Sequence, residues 1–129
     1  MALGITAVDH VNITVPRAQE AEVLRFYRAV LGLTEIPKPE PQRSRGGGWF
    51  QIGAVQVHIS LEDHESPRSR RHVCFLVGDL KRARDAAVAA GLAIEEESVA
   101  EGLSRFFIRD PAGNRIEIGH RPAAPKPKA

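Results

Sequence analysis

His10-Val11 near the start of the chain recurs as His72-Val73, 62 residues later, and Gly32-Leu33 recurs as Gly91-Leu92, 59 residues later. An amphipathic segment precedes each glycine. Twenty-six residues past each one, Val57-His58-Ile59 stands against Ile116-Glu117-Ile118. A repeat of this length is one supersecondary unit made twice, and two copies can bury the helix-facing sides of their sheets. Each unit reads strand, helix, then three strands. The expected fold is α+β: two tandem βαβββ modules, about 5–61 and 71–119, in a single domain over 1–120. They are expected to form a curved mixed sheet with a concave cleft and helices on the outer face.

Local signals place the elements. β-Branched residues at Ile5, Val8, Val11, Ile13 and Val15 mark a first strand over Ile5–Val15, stopped by Pro16. Val23, Leu24, Phe26, Tyr27, Val30 and Leu31 form a helical stripe within Arg17–Leu31, closed by Gly32. Leu33–Ile36 is a short strand, followed by an irregular loop over 37–48 with three prolines and Gly46-Gly47-Gly48, glycines that read as flexible. Trp49–Ile52 and Ala54–Leu61 form a hairpin about Gly53, with Trp49 and Phe50 both assigned to its core. In the second module Arg71–Val77 is a strand. Asp79 caps a helix over Leu80–Ala90, and Leu92–Glu96, Ser104–Arg109 and Ile116–Gly119 complete the set. Asp110-Pro111-Ala112-Gly113 has the residue preferences of a type I turn. Residues 62–70 are a charged linker, and the proline-rich 121–129 is a disordered tail.

Strand alternation then sorts side chains by face. Val11, Ile13, Val15, Val57, Ile59, Ile116 and Ile118 belong on the helix-packed side. His10, His58, His72 and Glu117 fall on the other side, at positions the repeat makes equivalent. Imidazoles with one carboxylate suit a single divalent ion (Fe, Mn, Ni, Co or Zn) with coordination positions left for water or substrate. On the same face Asn12, Gln56 and Ser60, with Thr14, can orient a small-molecule substrate, and Arg105, Arg109 and Arg115 can attract an anionic group on it. His58 has two readings, fourth ligand or catalytic base. His64 and His120 read as solvated, and Cys74 as a small buried residue.

Composition narrows the partners. Eighteen Lys and Arg against sixteen Asp and Glu leave a net charge of +2, too little for nucleic acid to be a leading partner. The one cysteine excludes an internal disulfide and a cysteine-based structural zinc, and a reducing, cytoplasmic setting fits. A charge at Asp9 interrupts any N-terminal apolar run, and no later stretch approaches 18 apolar residues, so neither a signal peptide nor a membrane partner is expected.

The sequences Val8-Asp9-His10-Val11, Phe26-Tyr27-Arg28-Ala29-Val30-Leu31-Gly32-Leu33, His72-Val73 and Asp110-Pro111-Ala112-Gly113-Asn114-Arg115-Ile116-Glu117-Ile118 resemble the vicinal oxygen chelate superfamily, the glyoxalase, bleomycin-resistance and extradiol dioxygenase group. The resemblance runs from Ile5 to Gly119. It implies His10, His72 and Glu117 as the core ligand set, and a homodimer. It also implies a metal-dependent enzyme of lyase, isomerase, thiol transferase or dioxygenase type, whose substrate chelates the ion through neighbouring oxygens. The chain departs from glyoxalase I at His58, where that enzyme carries a carboxylate. The alternative class is a non-catalytic protein that sequesters a small molecule or antibiotic, as bleomycin-resistance proteins do.

Overall fold

A computed structural model describes residues 2–63 and 68–122 of the chain. Two compact units divide it, Met1–Ser66 and Pro67–Ala129, with the boundary inside the expected linker. Parts of two sequence expectations, the solvated His64 with its stretch of linker and most of the disordered tail, lie outside the described residues.

The first unit runs β1 (His10–Val15), a 3-10 turn (Arg17–Gln19), α1 (Glu20–Arg25), β2 (Thr34–Ile36), β3 (Gly48–Ile52) and β4 (Val55–Leu61). Its sheet has the order β1-β4-β3-β2, with β1 parallel to β4 and the other pairs antiparallel. The second unit runs β5 (His72–Leu76), α2 (Leu80–Ala89), β6 (Glu95–Ala100), β7 (Leu103–Arg109) and β8 (Arg115–His120), ordered β5-β8-β7-β6 with the same directions. The repeat holds register for register: His10 faces Gln56 and Asn12 faces His58, as His72 faces Arg115 and Cys74 faces Glu117.

Several boundaries differ from the sequence reading for identifiable reasons. Residues 5–9 are not strand, because β4 offers β1 no partner before Gln56, whose N–H donates to Asp9 O at 3.1 Å. The first helix continues past Arg25 as a π turn over Phe26–Val30, where Leu31 N–H reaches Phe26 O at 2.9 Å. The wider turn brings consecutive aromatics, Phe26 and Tyr27, both into the core. α2 follows expectation: Asp79 Oδ1 accepts from Arg82 N at 3.0 Å, and Gly91 at φ +80 ends the helix with Leu92 N–H on Ala87 O. β6 starts three residues late, at Glu95. Its charged sequence is that of an edge strand paired on one side only, where apolar alternation is not required.

Val57 and Ile59 of β4 join Val15, Val23, Phe26, Tyr27 and Phe50 in the first core, where the Tyr27 and Phe50 rings lie 6.1 Å apart. Phe75, Ala87, Phe106, Ile108, Ile116 and Ile118 fill the second. The Asp110 turn forms as expected, with Gly113 N–H on Asp110 O at 2.9 Å, and the buried Asp110 carboxylate also accepts from the N–H groups of Ala112 and Asn114.

The glycine triplet is not a flexible hinge. Gly47 lies at φ +81, and a methyl group there would meet Ile59 O at 2.0 Å, so the loop backbone presses directly on β4. Glu20 Oε2 accepts the Gly47 N–H at 2.6 Å and Lys38 Nζ donates to Gly46 O, fixing this end of the loop from both sides. Absence of side chains, not freedom of movement, is what this stretch requires.

Candidate functional site

In the first unit the polar face of the sheet carries a stack of three rings. β3 and β4 pair Trp49 with His58, and the two rings lie parallel, 3.9 Å between centroids and 1° between planes. His10 stacks on the His58 ring at 4.2 Å and 16°. Trp49 is therefore not part of the hairpin core; Phe50, its neighbour on the opposite face, is. Alternation separates the two residues, but only the register with His58 shows which one faces the polar side.

Hydrogen bonds set the imidazole tautomers. Asp9 Oδ2 lies 2.9 Å from His10 Nδ1, and because a carboxylate only accepts, that nitrogen holds the proton and leaves Nε2 with its lone pair. His58 has the opposite arrangement: Gln56 Oε1 takes its Nε2–H at 2.9 Å, leaving the lone pair on Nδ1. Gln56 thus orients His58, while Asn12 and Ser60 bind one another, Ser60 Oγ donating to Asn12 Oδ1 at 2.5 Å.

His58 is buried, and its pKa lies below the ordinary 6.5. Desolvation is the main cause; the charges of His10 and Lys38 act in the same direction, and Asp9 opposes them. The ring is therefore neutral at neutral pH and available as a base. In the unfolded chain the same ring takes up a proton near pH 6.5, so its contribution to stability is complete above that pH and is lost as pH falls through the lower folded value. Thermal unfolding of metal-free protein between pH 7.5 and 5 is expected to show a steeper loss for the wild type than for His58→Phe, which keeps a ring in the stack. Equal slopes would show that His58 does not carry this dependence.

The second unit places a different pair at the equivalent positions. His72 Nε2 lies 2.9 Å from Glu117 Oε1, and the Glu117 side chain is only 4% exposed. His72 Nδ1 lies 2.8 Å from Arg70 O, a carbonyl that can only accept, so Nδ1 is protonated and Nε2 is the nitrogen that faces the carboxylate oxygen. Two electron-pair donors at this distance require a proton or a cation between them. The ring is held edge-on to Phe107 at 5.2 Å.

The three arginines expected to attract substrate already have protein partners. Arg105 reaches Glu117 Oε2 at 3.5 Å and Ser98 Oγ at 3.1 Å. Arg109 Nη1 donates to Gly113 O at 2.9 Å, and its Nε lies 3.4 Å from Glu95 Oε2, close enough for an ion pair but not aligned as a hydrogen bond. Arg115 is buried, pairs with Glu96 at 2.8 Å and lies 3.7 Å above the Phe107 ring. Glu96 reaches it from an irregularity in β6, at φ +42. Sequence reasoning missed this Phe107 platform, the structural counterpart of Trp49, since β7 pairs Phe107 with Glu117.

Two remaining residues are settled by contacts. Cys74 is exposed and not buried as expected, because β5 lies at the edge of its sheet; partial desolvation and the Glu117 carboxylate still raise its thiol above the ordinary value, which disfavours a thiolate nucleophile. His120 is half-buried, not solvated, with Nδ1 donating to Val77 O at 2.9 Å.

Within either unit the described residues bring candidate ligands together in pairs, and no group of three among His, Cys, Asp and Glu gathers around one point. The His72–Glu117 pair nevertheless fits a divalent ion. Two ligands each about 2.1 Å from a metal and at right angles to one another are about 3 Å apart, close to the His72–Glu117 separation. Both His10 and His72 commit Nδ1 to an oxygen acceptor and keep Nε2 as the donor, the arrangement that orients ligating histidines.

No helix among the described residues is long and apolar enough to cross a membrane. The structure is similar to a crystal structure of a Bacillus anthracis protein described as of the glyoxalase family, 34% identical, with a TM-score of 0.85, covering 94% of this chain and 99% of that one. The virulence protein STM3117 of Salmonella typhimurium is 27% identical over 127 residues, 88% of this chain and 83% of its own length. At 16% identity the fold alone is shared with the fosfomycin resistance protein FosX of Listeria monocytogenes, crystallised with Mn(II) and sulfate, with a TM-score of 0.72 and 91% of each chain covered. The sequence profile that matches residues 7–118, nearly all of both modules, is that of the Glyoxalase/Bleomycin resistance protein/Dioxygenase superfamily, and the chain belongs to that superfamily.

Proposed function

We propose that the protein is a divalent-metal-dependent enzyme acting on a small substrate that chelates the ion through neighbouring oxygens. The candidate protein ligands are His10, His72 and Glu117, and His58 is the general base. The observation that carries this reading is the His72–Glu117 pair, in which Nε2 of a ring fixed through Nδ1 lies 2.9 Å from a buried carboxylate oxygen, a separation a shared cation can bridge. The Mn(II) complex of the Listeria protein of the same fold supports it.

When bound, the ion supplies Lewis-acid stabilisation of negative charge developing on a substrate oxygen. The chain's own groups do the rest. His58 Nδ1, kept unprotonated by burial and by the His10 and Lys38 charges, accepts a proton, while Gln56 holds the ring through Nε2. Trp49 and His10 cover the two faces of the ring, so it reacts at its edge. Parallel rings direct their lone pairs side by side, an arrangement that favours His58 as base over His58 as a co-ligand of His10.

Elemental analysis of protein stripped with chelator and reconstituted in turn with Fe(II), Mn, Ni, Co and Zn tests the proposal. One ion per chain is expected for the wild type and almost none for His72→Ala or Glu117→Gln. Asp9→Asn, which removes the charge orienting His10, is expected to weaken affinity by about tenfold to a hundredfold. A wild type that holds no stoichiometric ion with any of the five metals would overturn the proposal and leave a small-molecule-binding protein.

A further inference from the structure

The three arginines that sequence placed near substrate are paired with Glu117, Glu95 and Glu96. Cations without such partners lie elsewhere. In the first unit a cavity of about 550 Å³, within the size range of small-molecule sites, opens beside the His10–His58–Trp49 stack. Arg17, Lys38 and Arg45 line it, and among the described residues that line it there is no carboxylate. Lys38 bonds only the neutral carbonyl of Gly46, and Arg45 has no ion-pair or hydrogen-bond partner among the described residues. Arg17 is shared with Asp63, whose carboxylate accepts its backbone N–H at 2.9 Å and lies 3.6 Å from its Nε. Glu20, whose carboxylate reaches the same loop, is turned to the Gly47 N–H.

This geometry points to an oxyanion subsite: we infer that the cavity binds the carboxylate or phosphate group of a small ligand, with Lys38 and Arg45 as its principal charge partners and Arg17 at its edge. Two cations lacking a carboxylate partner, facing a partly enclosed volume, gain charge-assisted hydrogen bonds from such a group without giving up an existing ion pair. The loop that carries them is fixed at Gly46 and Gly47 against β4 and Glu20, so the charges are held near the cavity before a ligand arrives. His58 lines the same cavity as Lys38, so the bound anion lies close to the proposed base. The inference rests on the proposed function only in calling the owner of the anion a substrate; the binding of the anion stands on the cavity alone.

Trp49 is the chain's one tryptophan and lines the cavity, so its fluorescence reports on occupancy. Chelator-treated full-length protein is titrated at pH 7.5 with inorganic phosphate and, separately, acetate, against sodium chloride at matched ionic strength, and calorimetry checks each Kd. A saturable change with phosphate, acetate or both, absent with chloride, is expected, and the anion that binds more tightly identifies the class. Lys38→Gln and Arg45→Gln are each expected to raise Kd by about tenfold or more. Lys38→Arg should bind as the wild type does, and Arg82→Gln, an equal charge change on α2, should leave Kd unaltered. No saturable signal with either anion, an equal response to chloride, or an unchanged Kd in the folded Lys38→Gln/Arg45→Gln double variant would overturn the inference. Because the titration is free of metal, anion binding without a stoichiometric ion would refute only the metal proposal, and the reverse result only this one.

Discussion

Gly47→Ala is expected to destabilise the protein by about 4 kcal/mol, combining the cost of a left-handed residue with side-chain overlap in a packed region. The added methyl would lie 2.0 Å from Ile59 O and 3.1 Å from its carbonyl carbon, with φ fixed at +81. Relief requires moving the loop off β4, and that movement breaks the Glu20 bond to Gly47 N–H. Gly53→Ala is the matched control: φ is +54 and no atom lies within 4 Å of the new methyl, so only the backbone cost of about 1–2 kcal/mol remains. Denaturant midpoints of the two variants check the difference. Equal losses would mean that contact with β4 contributes nothing.

Phe107→Ala is expected to cost about 3–5 kcal/mol, the usual range for removing a fully buried phenyl ring, and to damage the site as well. The ring is 2% exposed, on the face that carries His72, Arg115 and Glu117. Arg115 lies flat on it at 3.7 Å, Arg105 at 5.4 Å, and the His72 ring meets it edge-on. Phe107→Leu restores most of the apolar volume but not the aromatic face, so it is expected to recover most of the stability and not the cation–π contribution, about 1 kcal/mol or more for a desolvated pair. Chemical denaturation of both variants separates packing from the interaction with Arg115. Identical stability for Phe107→Leu and the wild type would reduce the ring to filling.

Much of this was legible in the sequence because the module is written twice. The repeat fixed the strand count and the equivalence of His10 with His72 and of His58 with Glu117, while the parallel pairing of each first and last strand came only from the structure. Alternation put all four on the polar face, as observed. What was not legible depends on contacts made across strands. Trp49 and Phe50 are both bulky and aromatic, and only the pairing of Trp49 with His58 distinguishes a site wall from core. Arg115 reads as an available cation until the β6 irregularity brings Glu96 to it. Three consecutive glycines carry the same letters whether they bend freely or press against a neighbouring strand. The cationic cavity was missed for a similar reason: Arg17, Lys38 and Arg45 are scattered along a helix start and a loop, with no spacing that marks them as a group.

The register identity of the two units makes the chain its own control experiment. His10 and His72 stand on strands of the same direction, paired to the same depth with strands of the same topology, and so do His58 and Glu117. A difference in behaviour between members of such a pair is therefore assignable to the side chains around them and not to the scaffold. Exchanging the two, as in His58→Glu or Glu117→His, asks how much of each half's chemistry resides in one residue, with the other half as the internal standard.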